Sequence, residues 1–257
     1  MTGMLEVRNL TKRFGGLVAN DDVSFEAARE ELLGIIGPNG AGKTTLFNCI
    51  AGVYKIDGGS ILFEGRDITR LSAHETARLG LTRTFQVYAA SGDLTVIENV
   101  MVGCFMNTRS RSEASKQAER ILKDLQIAHL ARSLVNELPI AAQKRVVMAT
   151  AIGTRPKMLL LDEVAAGLVP QEVEEICSLI RFIHDDLDVT VILIEHMMEM
   201  VTRLCRRVIV LDYGRKIAEG EPRTVLASPE VIKAYLGDKY AREHAEKVIQ
   251  CPEPSSK

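Results

Sequence analysis

Gly37-Pro38-Asn39-Gly40-Ala41-Gly42-Lys43-Thr44 lies between the apolar run Leu32-Leu33-Gly34-Ile35-Ile36 and the helix-like Thr45-Leu46-Phe47-Asn48-Cys49-Ile50. Its spacing is G-x-x-x-x-G-K-T, and a strand before it with a helix after it is the setting a phosphate-binding loop requires. The glycines let several backbone N–H groups converge on one point, and the helix start adds unpaired donors and a positive dipole end there. Lys43 is placed to reach the β and γ phosphates, and the Thr44 hydroxyl to ligate the Mg²⁺ that a nucleotide carries. Gly37, Pro38, Asn39, Gly40, Ala41, Gly42, Lys43, Thr44 and Thr45 are therefore candidate nucleotide-binding residues, on a strand-loop-helix unit of an α/β fold.

Downstream, the apolar run Met158-Leu159-Leu160-Leu161 ends in Asp162-Glu163. The carboxyl ends of strands are where an open α/β sheet gathers its ligands. Side chains alternate along a strand, so the two acids should divide the work. Asp162 suits a direct or water-mediated hold on Mg²⁺, and Glu163 suits the base that polarises an attacking water. Val189 to Ile194 ends similarly in Glu195-His196. A lone His is most often a satisfied structural residue, but at this sheet edge His196 could touch the γ phosphate and the water. Gln86, after Thr82-Arg83-Thr84-Phe85, could reach Mg²⁺ or the water, although a solvated loop Gln is the plain alternative.

Around this unit, alternation at Leu5 and Val7, at Val23 and Phe25, and at Ile61 to Phe63 predicts short antiparallel strands. Ser72-Ala73-His74-Glu75 has capping-box spacing and predicts a short helix ending near Gly80. From Val87 to Glu137 the sequence turns helical, with Thr95 to Val102 and Glu113 to Leu125 as segments. A helix is expected from Pro139 to Gly153 and another from Pro170 to about Asp185. Val208 to Leu211 reads as a strand, joined through Tyr213-Gly214 to Arg215-Lys216-Ile217-Ala218 as a hairpin. Fully apolar strands separated by helices predict a mostly parallel sheet covered on both faces. The expected organisation is an N-terminal β layer and cradle over 1–86, a helical subdomain over 87–155, the second half of the core over 156–222, and a C-terminal extension and tail over 223–257.

The chain has 257 residues, with 32 basic and 34 acidic side chains and a net charge of −2, which gives no reason to expect a nucleic-acid partner. No apolar run approaches the roughly 20 residues needed to span a bilayer. The N-terminus lacks the pattern of a signal peptide, so a cytosolic location is expected. Five scattered cysteines without a C-x-x-C pair read as reduced, mostly buried thiols.

Cradle, Gln86, strand-Asp162-Glu163 and His196 occur in the order of the Walker A motif, Q-loop, Walker B motif and H-loop of ABC-type ATPases. The chain resembles that family over almost its whole length. Within the family, Gly80 to Gln86, Thr95 to Val100, Ala165-Ala166-Gly167-Leu168, Ile194 to Met198 and Val231 to Gly237 resemble the ATP-binding subunits of branched-chain amino acid importers, the LivG type. The resemblance implies a P-loop NTPase core with an antiparallel β layer and an inserted helical subdomain. It also implies ATP and Mg²⁺ as cofactors, with ATP hydrolysed between two head-to-tail subunits, and docking on a membrane permease at the cytoplasmic side. The segment from Ser91 to Phe105 would face the permease. Phe14 falls where the family carries an aromatic residue that stacks on adenine; an exposed Phe at a sheet edge is the alternative.

Two departures from the family pattern stand out. The family signature, close to L-S-G-G-Q, is represented by Leu138-Pro139-Ile140-Ala141-Ala142, so Pro139 removes a hydroxyl, Ala141 a glycine and Ala142 a glutamine. Val164 replaces the usual proline after Glu163, which should loosen the following loop. A complete cradle beside an altered signature implies an asymmetric pair with a sister subunit of the LivF type, or a self-pair. The alternatives are an ATPase of another transporter, of the lipopolysaccharide-export type, and a nucleotide-binding regulatory subunit with little hydrolysis.

Overall fold

Alternation along five-residue apolar strands divides the interior into two layers. A computed structural model describes residues 3–84 and 90–236. The first half forms β1 (Leu5–Phe14), β2 (Leu17–Ala27), β3 (Leu32–Ile36), α1 (Lys43–Ile50), β4 (Gly58–Phe63), β5 (Arg66–Asp67), α2 (Ala73–Arg78), β6 (Leu81–Arg83), α3 (Val96–Cys104) and α4 (Arg111–Asp124). Then follow α5 (Ile140–Gly153), β7 (Met158–Asp162), α6 (Pro170–Arg181), β8 (Thr190–Ile194), α7 (Met198–Leu204), β9 (Arg207–Asp212), β10 (Arg215–Gly220) and α8 (Pro222–Leu226).

β10-β9-β3-β8-β7-β6 is one six-stranded sheet, parallel except for β10, and β2-β1-β4-β5 is an antiparallel sheet. Leu33, Ile35, Leu160, Ile192, Ile194, Ile209 and Leu211 share a core with α1 and the antiparallel sheet. Their alternates Leu32, Ile36, Leu159, Leu161, Val191, Leu193, Val208 and Val210 join the opposite core, built with α3 to α7. Burying each such side chain stabilises the fold by about 1.5–3 kcal/mol. Fully apolar strands are the consequence of this two-sided burial, as expected for the parallel sheet.

β1 and β2 are ten and eleven residues long rather than short. Their pairing shifts register between Val7 and Arg13, and Asn9 and Asp22 take left-handed backbones there, with φ of 50° and 58°. These irregularities break the period-2 pattern and hide the strands' true length. β5 and β6 are too short to produce a pattern at all. α2 has the predicted capping box, the Ser72 N–H donating to the Glu75 carboxylate at 2.8 Å. α6 continues from Arg181 into a wider π-helical turn at Phe182–Asp186, so the helical run ends where expected. The hairpin through Tyr213 and Gly214 is present, both residues having positive φ. Beyond α8, Val231 and Tyr235 from a helical segment at 229–236 pack on the core that holds Ile36.

Candidate nucleotide site

β3 runs directly into the loop, and two glycines make the turn possible. Gly37 has φ +146°, and a Cβ there would lie 2.1 Å from the Leu211 carbonyl oxygen. Gly42 has φ +95°, and its Cβ would lie 2.2 Å from the Ala19 carbonyl oxygen. Neither position admits a side chain. α1 begins at Lys43, and Asn48 on its next turn donates to the Thr44 carbonyl at 2.9 Å. The buried Asn20 of β2 braces the loop by donating to the Gly42 carbonyl at 3.2 Å.

The Lys43 ammonium curls back over the loop and donates to the carbonyls of Gly37 and Pro38 at 2.7 and 2.8 Å. Burial lowers its pKa, while the charges of Glu163 and Asp162 act against that fall. A cavity of about 330 Å³ opens over Asn39 to Thr45 and is also walled by Phe14, Glu163 and Tyr213. Phe14 is 44 % exposed and packs edge-on against Tyr54, ring centres 5.4 Å apart, with the Lys12 ammonium 5.0 Å from its ring centre. An exposed, braced aromatic face beside a phosphate loop is suited to a planar base.

Asp162 ends β7 in the plane of the sheet, 2 % exposed. Burial raises its pKa, and a hydrogen bond and charge from Arg83 oppose the rise. Glu163 has φ +50° while its N–H still pairs with the Ile194 carbonyl at 2.9 Å. That backbone turn separates its carboxylate from Asp162, as the expected division of labour requires. His196 Nε2 lies 2.8 Å from Glu163 Oε1, so the ends of β7 and β8 meet at this pair. With Glu163 ionised, the ring N–H is the donor.

Two charged residues without an expected role complete the surroundings. Glu195 is buried and accepts from the Ala165 N–H at 2.9 Å and from the His196 N–H at 3.3 Å. Burial raises its pKa, and these two bonds oppose the rise. Lys144 of α5 donates to the carbonyls of Val164 and Ala166 at 2.7 and 2.6 Å, and lies 3.4 Å from that of Glu163. The loop after Glu163 is thus pinned from both sides, and Val164 is itself buried against the helical core. In place of the proline, a buried acid and an ammonium bond to the backbone of this loop.

Pro139 is the N-cap of α5, and no side chain caps that helix. Pro139 and Ile140 lie exposed at the surface. Gln86 lies outside the described residues. The other candidates gather at one sheet edge: the cradle, Asp162, Glu163 and His196, with Phe14 across the cavity. Arg83, Lys144 and Glu195 were legible only as charges, since their partners come from distant stretches of the chain. No group of three or more His, Cys, Asp or Glu among the described residues could hold a metal. Mg²⁺ needs no such cage, since nucleotide phosphates supply most of its ligands. The Thr44 hydroxyl and Asp162 Oδ1, which is buried without a hydrogen-bond partner among the described residues, fit that arrangement.

The sequence matches a family model described as ABC transporter over residues 20–166, and one described as branched-chain amino acid ATP-binding cassette transporter over residues 215–241. It is 38 % identical over 250 residues to the high-affinity branched-chain amino acid transport ATP-binding protein BraF of Pseudomonas aeruginosa, covering 91 % of this chain and 98 % of that one. The identity and coverage are the same for LivG of Escherichia coli. Among solved structures, a nucleotide-free ATP-binding cassette matches with a TM-score of 0.84 and 31 % identity over 91 % of this chain and 99 % of that one. A dimeric cassette bound to ADP and Pi matches with 0.77 and 26 % over 86 % and 99 %. A phosphate cradle, an acid-histidine pair at the facing strand ends and these likenesses lead to one conclusion: the chain belongs to the ABC transporter family of ATP-binding subunits, in which ATP hydrolysis powers transport.

Proposed function

We propose that this chain is the ATP-hydrolysing subunit of a branched-chain amino acid importer, docked on a permease at the cytoplasmic side of the membrane. It binds Mg²⁺-ATP and works in a head-to-tail pair with a sister subunit of the LivF type. The observation that carries the catalytic part is the 2.8 Å contact between His196 and Glu163 beside a complete cradle. The cargo is inferred from that of the relatives above and from the match over residues 215–241. No helix among the described residues is long and apolar enough to cross a membrane, which suits a subunit attached from one side.

On nucleotide binding, Lys43 exchanges the Gly37 and Pro38 carbonyls for phosphate oxygens, and Phe14 stacks on the base. Thr44 and Asp162 would hold the metal, and Gln86 would serve as a further ligand and contact to the water. When bound, Mg²⁺ would supply charge neutralisation to the phosphates. Glu163 takes the proton of the attacking water, and His196 fixes the carboxylate that receives it. Because Pro139 and Ala142 remove the signature's side-chain donors and Ala141 the glycine that lets the backbone approach, the site built from this chain's cradle and the sister's signature hydrolyses ATP, while the other mainly binds it.

Steady-state ATP hydrolysis by the chain alone, and by its assembly with permease and sister subunit, tests this reading. Turnover should appear in the assembly and fall by about 10²–10⁴-fold in Glu163→Gln, with ATP binding retained. Vigorous turnover by the chain alone would overturn the asymmetric pair. Tight binding without turnover in any assembly would make the chain a nucleotide-sensing subunit.

A further inference from the structure

Arg83 closes β6 and carries a guanidinium that is 5 % exposed, in an ion pair whose acid is fully buried. Nη2 donates to Asp162 Oδ2 at 2.7 Å, and Nη1 donates to Asn48 Oδ1. The guanidinium lies over the Phe47 ring, 5.9 Å from its centre. Asn48 in turn donates its amide N–H to the Thr44 carbonyl. One planar group therefore bridges two of the residues assigned to magnesium, Asp162 directly and Thr44 through Asn48.

The acid is held asymmetrically. Arg83 engages Oδ2, whereas Oδ1 is buried without a hydrogen-bond partner among the described residues. A buried carboxylate oxygen left bare is costly, and native structures keep such atoms where a ligand or ion completes them. An ion pair serving stability alone would gain by engaging both oxygens in the two-pronged manner arginine favours. Here the second prong is spent on Asn48 instead. The register supports the arrangement: Arg83 pairs with Leu160, and the Thr84 N–H donates to the Leu160 carbonyl at 2.9 Å, fixing the end of β6 beside the end of β7.

We infer that Arg83 is a positioning residue for the metal: it immobilises Oδ2 of Asp162 so that Oδ1 faces the magnesium shell, and through Asn48 it sets the distance from Asp162 to Thr44. The inference rests on the Mg²⁺-ATP reading above. Arginine is required because lysine has one point charge and cannot hold two acceptors in a fixed plane.

The test is equilibrium binding of ATP to the purified chain in excess Mg²⁺ and in excess EDTA, for wild type, Arg83→Lys, Arg83→Gln and Asn48→Ala. Wild type should bind more tightly with Mg²⁺. Both Arg83 variants should lose about 10- to 100-fold of that magnesium advantage, the usual effect of removing a residue that orients a metal ligand, with binding in EDTA unchanged. Asn48→Ala, which keeps the ion pair, should lose a smaller part of it. Arg83→Lys retains the charge beside the buried acid, so it decides the matter where Arg83→Gln fails to fold, a melting curve establishing which variants are native. A full magnesium advantage in folded Arg83→Lys would overturn the inference, as would equal weakening with and without Mg²⁺, the mark of a guanidinium that only packs the cradle. A wild type indifferent to Mg²⁺ would overturn the Mg²⁺-ATP reading itself, an outcome distinct from both.

Discussion

Glu163 carries its carboxylate on a left-handed backbone, φ +50°, a conformation that costs a non-glycine residue of order 1–3 kcal/mol. The Ile194 carbonyl and His196 hold it there, and the strain turns the acid away from Asp162 toward the cavity. Gly42 is constrained in the opposite sense, by lack of space. Gly42→Ala should abolish measurable ATP binding while the melting temperature falls only modestly, because the clash with the Ala19 carbonyl moves the loop and not the core. Glu195 gives a pH prediction. Burial chiefly holds its carboxyl above the usual glutamate range, so its contribution favours the fold below that range and is lost as pH rises through the folded pKa. Glu195→Gln removes the buried charge at a constant cost, since one amide oxygen cannot serve both the Ala165 and the His196 N–H. Thermal unfolding measured from about pH 4.5 upward should therefore shift progressively in favour of the variant. Burial likewise pushes the Cys49 thiol up to about 12, so alkylation at neutral pH should label it only after denaturation. Lys43, Thr44, Asp162, Glu163 and His196 were legible because their spacing encodes their chemistry. Arg83 was not, since its partners Asn48 and Asp162 lie far from it in sequence and nothing local marks them.

At the scale of elements, α5 matters most, because its start bears the altered signature and its second turn holds the loop behind Glu163. Lys144→Met keeps the length and apolar stem of the side chain but removes the charged donor to that loop. Chemical denaturation should show a loss of about 1.5–3 kcal/mol, the worth of hydrogen bonding to a charged group. The helix start is expected to limit the second site only. Restoring Pro139→Ser, Ala141→Gly and Ala142→Gln together should raise turnover of the assembled pair, read in the same hydrolysis assay, without changing ATP affinity of the isolated chain. Helices and apolar strands were legible here through their periods. β1 and β2 were underestimated because bulged register interrupts alternation, and the pinning of the loop after Glu163 was missed because backbone carbonyls leave no trace in a sequence.

For the whole molecule, a mostly parallel sheet between two cores was readable from apolar runs and intervening helices, whereas strand order was not. That order places β3, which feeds the cradle, between β8 and β9, with Leu32 beside Val191 and Ile36 beside Val210. Both neighbours are made late in synthesis. A nascent chain that already displays Gly37 to Thr44 thus has no sheet to hold the loop, and Gly37 lacks the Leu211 carbonyl against which it is packed. Purified chains ending at Leu187 should contain the entire motif and fail to retain ATP, whereas purified chains extended past Gly220 should retain it, as filter binding would show. Production of the chain on the ribosome therefore carries a built-in delay, in which most of the protein has emerged before it is able to draw nucleotide from the cell.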